Sequence, residues 1–427
     1  MLINIIQNEK KAFDTFDKDG KRLIITNILY SMVFPFIVIF STAFVNRATG
    51  NQVMAIVNGF GFSIGLILGN YTNGMLLRKN INIRYIFSTG MLLSIASTFI
   101  MMMLVKDTIG YSIIFFGLLT GYGSGIYWSG RQYLAYLVTK EENRNFYASI
   151  EQFAIIFFNA LIPFLFGTLL IKYGRRTGYF DEIMAYQGMA AFMVLMIIYA
   201  VVLVLKSSFK SPDIKRFTYW KYSKMWNMHR LFVVLVGIMS SGIMFFIPLL
   251  ILNVAGDETV LGKIEISMAA ISVMVIYLLG RITSAEHRAK MMMTGAIIMM
   301  LGGTVLSFTI HNNDLIFSVL KISFLGVIFM KASQLISEPL IIMSYAATNL
   351  SNIGKASKLE NRDSYTYVFD NEITMNIGRI IGGLVFIAIN FWVSPIGALQ
   401  FIFIILGAIQ IISSILVKKL TAVKVNK

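Results

Sequence analysis

Long apolar stretches dominate the chain, and short polar connections separate one stretch from the next. A helix needs about 20 mostly apolar residues to cross the hydrocarbon core of a bilayer. The stretches reach that length, and they lack the alternation of apolar and polar residues found in membrane β-barrels. The pattern therefore predicts an all-α polytopic membrane protein with twelve transmembrane spans, at residues 22–46, 52–76, 83–105, 111–138, 146–171, 184–205, 231–254, 262–280, 291–310, 315–347, 366–391 and 395–417.

One long polar connection, residues 206–230, separates the sixth span from the seventh. Its basic and aromatic side chains suit the lipid headgroups of the inner leaflet. A nucleic-acid-binding patch has a similar composition, but we expect no nucleic-acid partner for a membrane protein. We predict five units: an N-terminal tail (1–21), an N-terminal six-helix bundle (22–205), this linker (206–230), a C-terminal six-helix bundle (231–417) and a C-terminal tail (418–427).

The two predicted bundles carry landmarks in the same order, which indicates an internal duplication. Two parallel repeats about an axis along the membrane normal are an architecture that transporters use, so we expect the bundles to be pseudo-symmetric. The matched landmarks are separated by 208 to 218 residues and are Arg22 with Arg230, Gly69 with Gly280, the Glu-Asn-Arg triplets at 142–144 and 360–362, and Lys206 with Lys418.

Composition and charge agree with a membrane protein and predict its orientation. Hydrophobic residues make up 57% of the chain and charged residues 14%, whereas soluble domains carry about 25% charged residues. With the N-terminus inside, 27 Lys and Arg residues fall on the inner side and six on the outer side. Because positive charge is retained on the cytoplasmic side, we predict a protein of the cytoplasmic membrane with both termini in the cytoplasm.

Several classes of chemistry are excluded or disfavoured by the sequence. The chain has no cysteine and three scattered histidines, which excludes disulfides and thiolate metal sites. The sequence contains no His-Glu-x-x-His motif. We therefore predict that the protein is not an enzyme and that it needs neither a metal nor a cofactor.

A motif between spans 2 and 3 connects the chain to a known family. The stretch "GNYTNGMLLRKN" begins at Gly69, has Asn73 where the family signature has Asp, and has Gly74 where the signature has a basic residue. It closes with Arg78 and Lys79. With this motif, the twelve spans, the basic linker and the duplication, the chain resembles the major facilitator superfamily over nearly its whole length.

The resemblance implies a transport mechanism by alternating access, with predicted spans 1, 4, 7 and 10 around a central cavity. The loop 4–5 arginine common in the superfamily matches Arg144, and its repeat matches Arg362. We hypothesise that these two arginines hold the inner ends of the bundles together in one state. The expected gating residues in the loops are therefore Gly69, Asn73, Arg78, Arg144 and Arg362. The Gly-Pro signature of drug–proton antiporters is not satisfied by "NALIPFLFG" in span 5, and no subfamily is assigned.

Span 10 carries polar side chains on one helix face. Lys331, Gln334 and Glu338 recur at helical spacing, and Pro339 bends the helix beside them. Because charges inside a membrane are costly and rare, we predict that Lys331 and Gln334 bind the solute and that Glu338 takes up a coupling proton. A structural ion pair with another helix is the alternative.

Span 4 places an arginine one turn after an aromatic residue. Tyr127 and Arg131 are four residues apart, and with Trp128 they form a wall that suits an anionic or amphipathic ligand. An interfacial aromatic belt with a snorkelling arginine is the alternative. In span 1, Asn27 and Tyr30 are further candidates for solute binding.

Span 11 contains a polar stripe of Glu372, Asn376 and Arg379. We predict that Glu372 and Arg379 form a gate controlled by a proton on the glutamate, with a purely structural pair as the alternative. Glu151 in span 5 is the third candidate for proton coupling, after Glu338 and Glu372.

These features together predict a monomeric secondary transporter that moves a small organic solute, anionic or amphipathic, by proton-coupled alternating access. A multidrug exporter or lipid flippase on the same fold is the first alternative, because aromatics and 26 methionines suit adaptable apolar cavities. A non-transporting membrane sensor and an integral-membrane transferase are more distant alternatives.

Overall fold

The computed structural model describes residues 13–49, 52–103, 112–139, 144–166, 177–178, 182–211, 214, 216–242, 285–311, 322–393 and 395–423. Every long regular element in these ranges is a helix, and eight of the helices are long and apolar enough to cross a membrane. Predicted span 8 and the second half of span 7 lie outside these ranges. The predicted all-α class of a polytopic membrane protein is confirmed.

The first bundle begins with α1 (Lys18–Pro35), which continues through a π-helical turn (Phe36–Phe40) into α2 (Ser41–Thr49). Its further helices are α3 (Gln52–Arg78), α4 (Ile83–Met103), α5 (Ser112–Val138), α6 (Arg144–Phe164) and α7 (Glu182–Leu205). Asp17 caps α1 by accepting a hydrogen bond from the backbone N–H of Gly20 at 2.6 Å. This cap lets the helix begin before the apolar stretch that starts at residue 22.

The second bundle contains α8 (Lys224–Ser241), α9 (Arg288–His311), α10 (Ile322–Glu360), α11 (Ser364–Trp392) and α12 (Pro395–Ala422). Helix α10 continues well beyond residue 347, where the apolar stretch was predicted to end, because its last turns are polar but still helical. It ends where Asn361 adopts a left-handed φ of 49°. Asp363 then caps α11 by accepting a hydrogen bond from the Tyr365 N–H at 2.7 Å.

Glycines bring α3 and α5 into close contact. A Cβ on Gly65 would overlap the carbonyl oxygen of Leu118, and a Cβ on Gly121 would overlap that of Phe62. Such close backbone approach is typical of small-residue interfaces in membranes. The close contact at Gly65 and Gly121 therefore holds α5 against α3, and α5 carries several of the candidate site residues.

The two bundles meet along α3 and α11. Towards one end, the ring of Phe60 lies where a Cβ on Gly383 would stand. Towards the other end, the ring centroids of Tyr71 and Phe369 are 6.3 Å apart. The contact between the bundles thus runs along a large part of both helices.

The start of α1, the linker and the end of α12 lie at the same end of the helices. Asp19 on α1 accepts a hydrogen bond from the Ser208 backbone N–H at 3.0 Å. Lys355, near the end of α10, donates to the carbonyl of Val423 after α12 at 3.0 Å. We call this the linker end of the protein, and Tyr71 and Phe369 belong to it.

Candidate functional site

Glu151 lies at the centre of a buried polar network in the first bundle. Its carboxylate accepts one hydrogen bond from Nε of Arg131 at 3.0 Å and one from an amino group of the same guanidinium at 2.5 Å. The Asn27 amide donates to Glu151 at 2.6 Å and to the Tyr147 hydroxyl at 2.7 Å. The Tyr127 hydroxyl donates to the Asn27 carbonyl oxygen at 3.2 Å. Candidates from α1, α5 and α6 therefore meet in one network.

Aromatic rings form a wall beside this network. The rings of Tyr30 and Tyr127 are stacked, with centroids 3.5 Å apart, and both residues are buried. The guanidinium of Arg131 lies 4.8 Å from the ring centroid of Trp128, which is within the range of a cation–π interaction. Trp128 is partly exposed, whereas the rings of Tyr30 and Tyr127 are buried.

The Arg131–Glu151 pair is bidentate and nearly buried, with side chains 14% and 9% exposed. Removing one partner of a buried pair costs about 3–5 kcal/mol, because the other charge is left without compensation. A proton on Glu151 would remove the negative charge opposite Arg131, and the guanidinium could then bind an anionic group of a solute. The arrangement therefore places a carboxylate in direct contact with a guanidinium of the kind that binds anions.

A second polar network lies on α11 and reaches both bundles. Asn376 donates to the carbonyl of Glu372 at 2.8 Å and accepts from Arg379 at 2.8 Å. Arg379 also donates to the Ser240 hydroxyl on α8 at 3.2 Å. The Glu372 carboxylate accepts a hydrogen bond from Gln132 on α5. The predicted stripe is present, and its glutamate bonds to the opposite bundle.

Lys331, Gln334 and Glu338 lie on α10 with the helical spacing that the sequence indicates. Lys331 and Gln334 are buried. The Gln334 amide donates to the Glu338 carboxylate at 2.7 Å, one turn further along the helix. These three side chains form a polar face of α10 in the second bundle.

The gating candidates of the loop 2–3 motif contact the first bundle. The Asn73 amide donates to the carbonyl of Ile126 at 3.1 Å and to the Ser129 hydroxyl at 2.8 Å. Gly69 packs against the backbone of α5, and Arg78 is exposed at the linker end. The motif thus fixes the end of α3 to α5.

The two repeated arginines start α6 and precede α11. Arg362 forms an ion pair with Glu360 at 2.6 Å, donates to the Lys221 carbonyl at 2.9 Å, and lies 4.1 Å from the ring centroid of Tyr219. These contacts attach the start of α11 to the linker. The side chain of Arg144 lies outside the described residues, so the shared role of the two arginines stays a prediction.

Tyr147 and Gln132 also belong to the two networks, although neither is among the candidates predicted from the sequence. Tyr147 precedes Glu151 by one helical turn, and this spacing would have been a usable signal. Gln132 follows Arg131 directly and has no feature in the sequence that distinguishes it from other amides.

Asp370 is another buried carboxylate and is not among the candidates predicted from the sequence. It accepts a hydrogen bond from the indole N–H of Trp226 at 2.6 Å. It also accepts two from Arg230, at 2.8 Å and 2.6 Å. Since Trp226 and Arg230 lie on α8, this carboxylate fixes α8 to α11 near the linker end.

Comparison with known proteins supports the architecture. The sequence profile of the Major Facilitator Superfamily matches residues 23–357. The uncharacterized protein YqgE of Bacillus subtilis (strain 168) is 21% identical over 315 residues, which cover 73% of this chain and 69% of YqgE.

Solved transporter structures share the fold of this chain. The human organic anion transporter MFSD10 (TETRAN) gives a TM-score of 0.61 at 11% identity, covering 96% of this chain and 99% of that one. A D-xylose–proton symporter gives 0.62 at 13% identity, covering 94% and 97%. FucP in the outward conformation gives 0.59 at 14% identity, covering 91% and 97%. At these identities the likeness concerns the fold alone.

Proposed function

The chain belongs to the Major Facilitator Superfamily, and we propose that it is a proton-coupled secondary transporter of a small organic anion or an amphipathic solute with an anionic group. We place it in the cytoplasmic membrane, with the linker end on the cytoplasmic side, because most Lys and Arg residues fall in the segments at that end. The observation that carries the proposal is the bidentate Arg131–Glu151 pair.

Glu151 carries the coupling proton in this proposal. The sequence alone ranks Glu338 and Glu372 ahead of it. The contacts change that order, because Glu151 bonds directly to a cation that suits an anionic solute. Glu338 accepts a hydrogen bond from Gln334, and Glu372 accepts one from an amide of the opposite bundle.

The proposed cycle is an exchange of partners at Arg131. While Glu151 is ionised, it neutralises Arg131, and an additional anion would bring uncompensated charge into the site. When Glu151 binds a proton, the guanidinium is released and binds a carboxylate, phosphate or sulfonate of the solute. Proton and anion enter together, so the net charge of the site is unchanged while the bundles move. This matters because uncompensated charge inside a membrane is costly.

Contacts between the bundles close the linker end, which is the cytoplasmic end in this orientation. The rings of Tyr133 on α5 and Tyr365 on α11 lie edge to face with centroids 6.2 Å apart. The hydrogen bond from Gln132 to Glu372 joins the same two helices. Opening towards the cytoplasm requires both contacts to break.

Uptake into proteoliposomes tests the proposal. Pools of carboxylate, phosphate and sulfonate solutes would be offered with an inward proton gradient of one pH unit. The unaltered protein should accumulate its solute up to about tenfold, the limit for one proton per anion at this gradient. Glu151→Gln should exchange solute at equal pH without accumulating it, because a neutral amide imitates the protonated carboxyl.

Glu286→Gln is the matched control, because Glu286 is exposed and should leave accumulation unchanged. Accumulation by Glu151→Gln at the level of the unaltered protein would overturn the proton assignment. Transport of lipophilic dyes or lipids, with none of the anions transported, would favour the alternative exporter or flippase.

A further inference from the structure

The central linker is bound to the first bundle through its first residues. Arg84, at the start of α4, donates a hydrogen bond to the Ser207 carbonyl at 2.6 Å. The Ser211 hydroxyl accepts one from the Ile83 backbone N–H at 2.9 Å. Residues 206–211 are therefore fixed to the N-terminal half of the fold.

The last residues of the linker are bound to the second bundle. The Ser223 backbone N–H donates to the Glu360 carboxylate at 2.8 Å, and Arg362 donates to the Lys221 carbonyl at 2.9 Å. The chain between Ser211 and Lys221 therefore passes from one bundle to the other.

Phe217 lies where the linker passes between the bundles. Its ring centroid is 5.8 Å from that of Tyr71 on α3 and 4.9 Å from that of Phe369 on α11. It also contacts Tyr365 edge to face, with centroids 6.3 Å apart. The side chain is only 5% exposed, so one linker ring packs against both bundles at once.

Gly74 on α3 provides the space for this ring. A Cβ at Gly74 would lie 2.6 to 2.9 Å from three carbons of the Phe217 ring, closer than side-chain contacts allow. The absence of a side chain at Gly74 therefore leaves the space that the Phe217 ring occupies.

We propose that Phe217 is a positioning residue for the transport cycle. Its ring packs against both α3 and α11 and thereby stabilises the closed state of the linker end. When the linker end opens, these helices separate there, and Phe217 must lose its contacts with one of them. Because this exposes a buried aromatic ring, its burial favours the closed state over the open one. The inference rests on the proposed alternating access and is independent of the solute and the proton.

A simpler role for Phe217 would be to fill space in a way that stabilises all states equally. The two roles differ in one observable, the ratio of open to closed molecules. If Phe217 only fills space, its removal lowers the stability of the whole protein and leaves the ratio of open to closed molecules unchanged. If Phe217 stabilises the closed state, its removal raises that ratio.

Distance measurement between spin labels distinguishes these roles. The chain has no cysteine, so Lys79→Cys and Lys358→Cys give a labelled pair without background. Both lysines are exposed and lie at the linker end, one after α3 and one on α10. Without any solute, Phe217→Ala should raise the ratio of long to short distances at least about tenfold.

Trp220→Ala is the matched control, because Trp220 is an aromatic residue of the same linker that is 95% exposed. It should leave the distance distribution unchanged. An unchanged distribution in Phe217→Ala overturns the proposal, and so does an equal shift in Trp220→Ala.

Gly74→Ala changes the same contact on the α3 side, and it provides a second test if Phe217→Ala does not fold. The added methyl group should displace the ring and raise the open fraction. In a background that already carries Phe217→Ala, it should add little, because the ring is no longer there to displace. Full additivity of the two effects would overturn the pairing of Gly74 with Phe217.

Discussion

Gln132 on α5 donates a hydrogen bond to the Glu372 carboxylate on α11, while the adjacent Arg131 pairs with Glu151 inside the first bundle. Neighbouring residues of a helix project in different directions, so α5 directs one polar side chain to the proposed solute site and the next to the opposite bundle. A movement of α5 that breaks the contact between the bundles therefore also displaces Arg131.

Gln132→Ala should favour opening at the linker end. A hydrogen bond to a charged group contributes about 1.5–3 kcal/mol, and this one joins the bundles in the closed state. We expect the open fraction to rise by about tenfold or more, measured with the Lys79 and Lys358 label pair. Leu137→Ala, an exposed position on the same helix, should have no such effect, and equal open fractions in the two variants would contradict the prediction.

Arg131→Met should destabilise the protein more than the double variant that also carries Glu151→Gln. The single change leaves a buried carboxylate without its cation, at a cost of about 3–5 kcal/mol. The double change removes both charges and should recover most of the loss. Thermal unfolding followed by tryptophan fluorescence measures both variants in detergent. Additive losses would show that the two charges do not depend on each other.

Gly65→Ala should lower the thermal stability and the yield of folded protein. Its Cβ would overlap the carbonyl oxygen of Leu118, so α3 and α5 would have to move apart. Gly188→Ala is the matched control, since a Cβ there meets nothing within 4 Å. Equal unfolding temperatures for the two variants would rule out the close packing of α3 on α5.

Asp370→Asn should lower stability by about 1.5–3 kcal/mol, because hydrogen bonds from Arg230 and Trp226 lose a charged acceptor. Proton coupling should remain, since Asp370 fixes α8 to α11 and does not contact Arg131. Unfolding temperature and gradient-driven uptake, measured on the same preparation, separate these effects. Loss of coupling at full stability would instead assign Asp370 to the proton pathway.

The architecture follows from the sequence because span length and apolar content are local properties. The end of α10 is an exception. Its last turns are polar, so an apolar-length criterion misses them, and the helix ends only where Asn361 turns and Asp363 begins the next cap.

Only part of the candidate site could be predicted from the sequence. Asn27, Arg131 and Glu151 stand out individually, because polar residues in apolar spans are rare. Their meeting depends on tertiary packing, since Asn27 and Glu151 are 124 residues apart. Local spacing places Gln334 and Glu338 on one helix face, one turn apart, and the structure joins them by a hydrogen bond.

The linker is attached to the first bundle at Ser211 and to the second bundle at Lys221. The backbone between these two residues is therefore a defined boundary between the halves of the chain. Each half keeps its own anchored piece when the backbone is cut between Ser211 and Phe217. Two separately expressed polypeptides, 1–213 and 214–427, would thus carry complementary surfaces, and the second would bring the ring that fits beside Gly74 of the first. We therefore expect the two polypeptides to assemble without the covalent connection, and a split protein would let each half be varied independently.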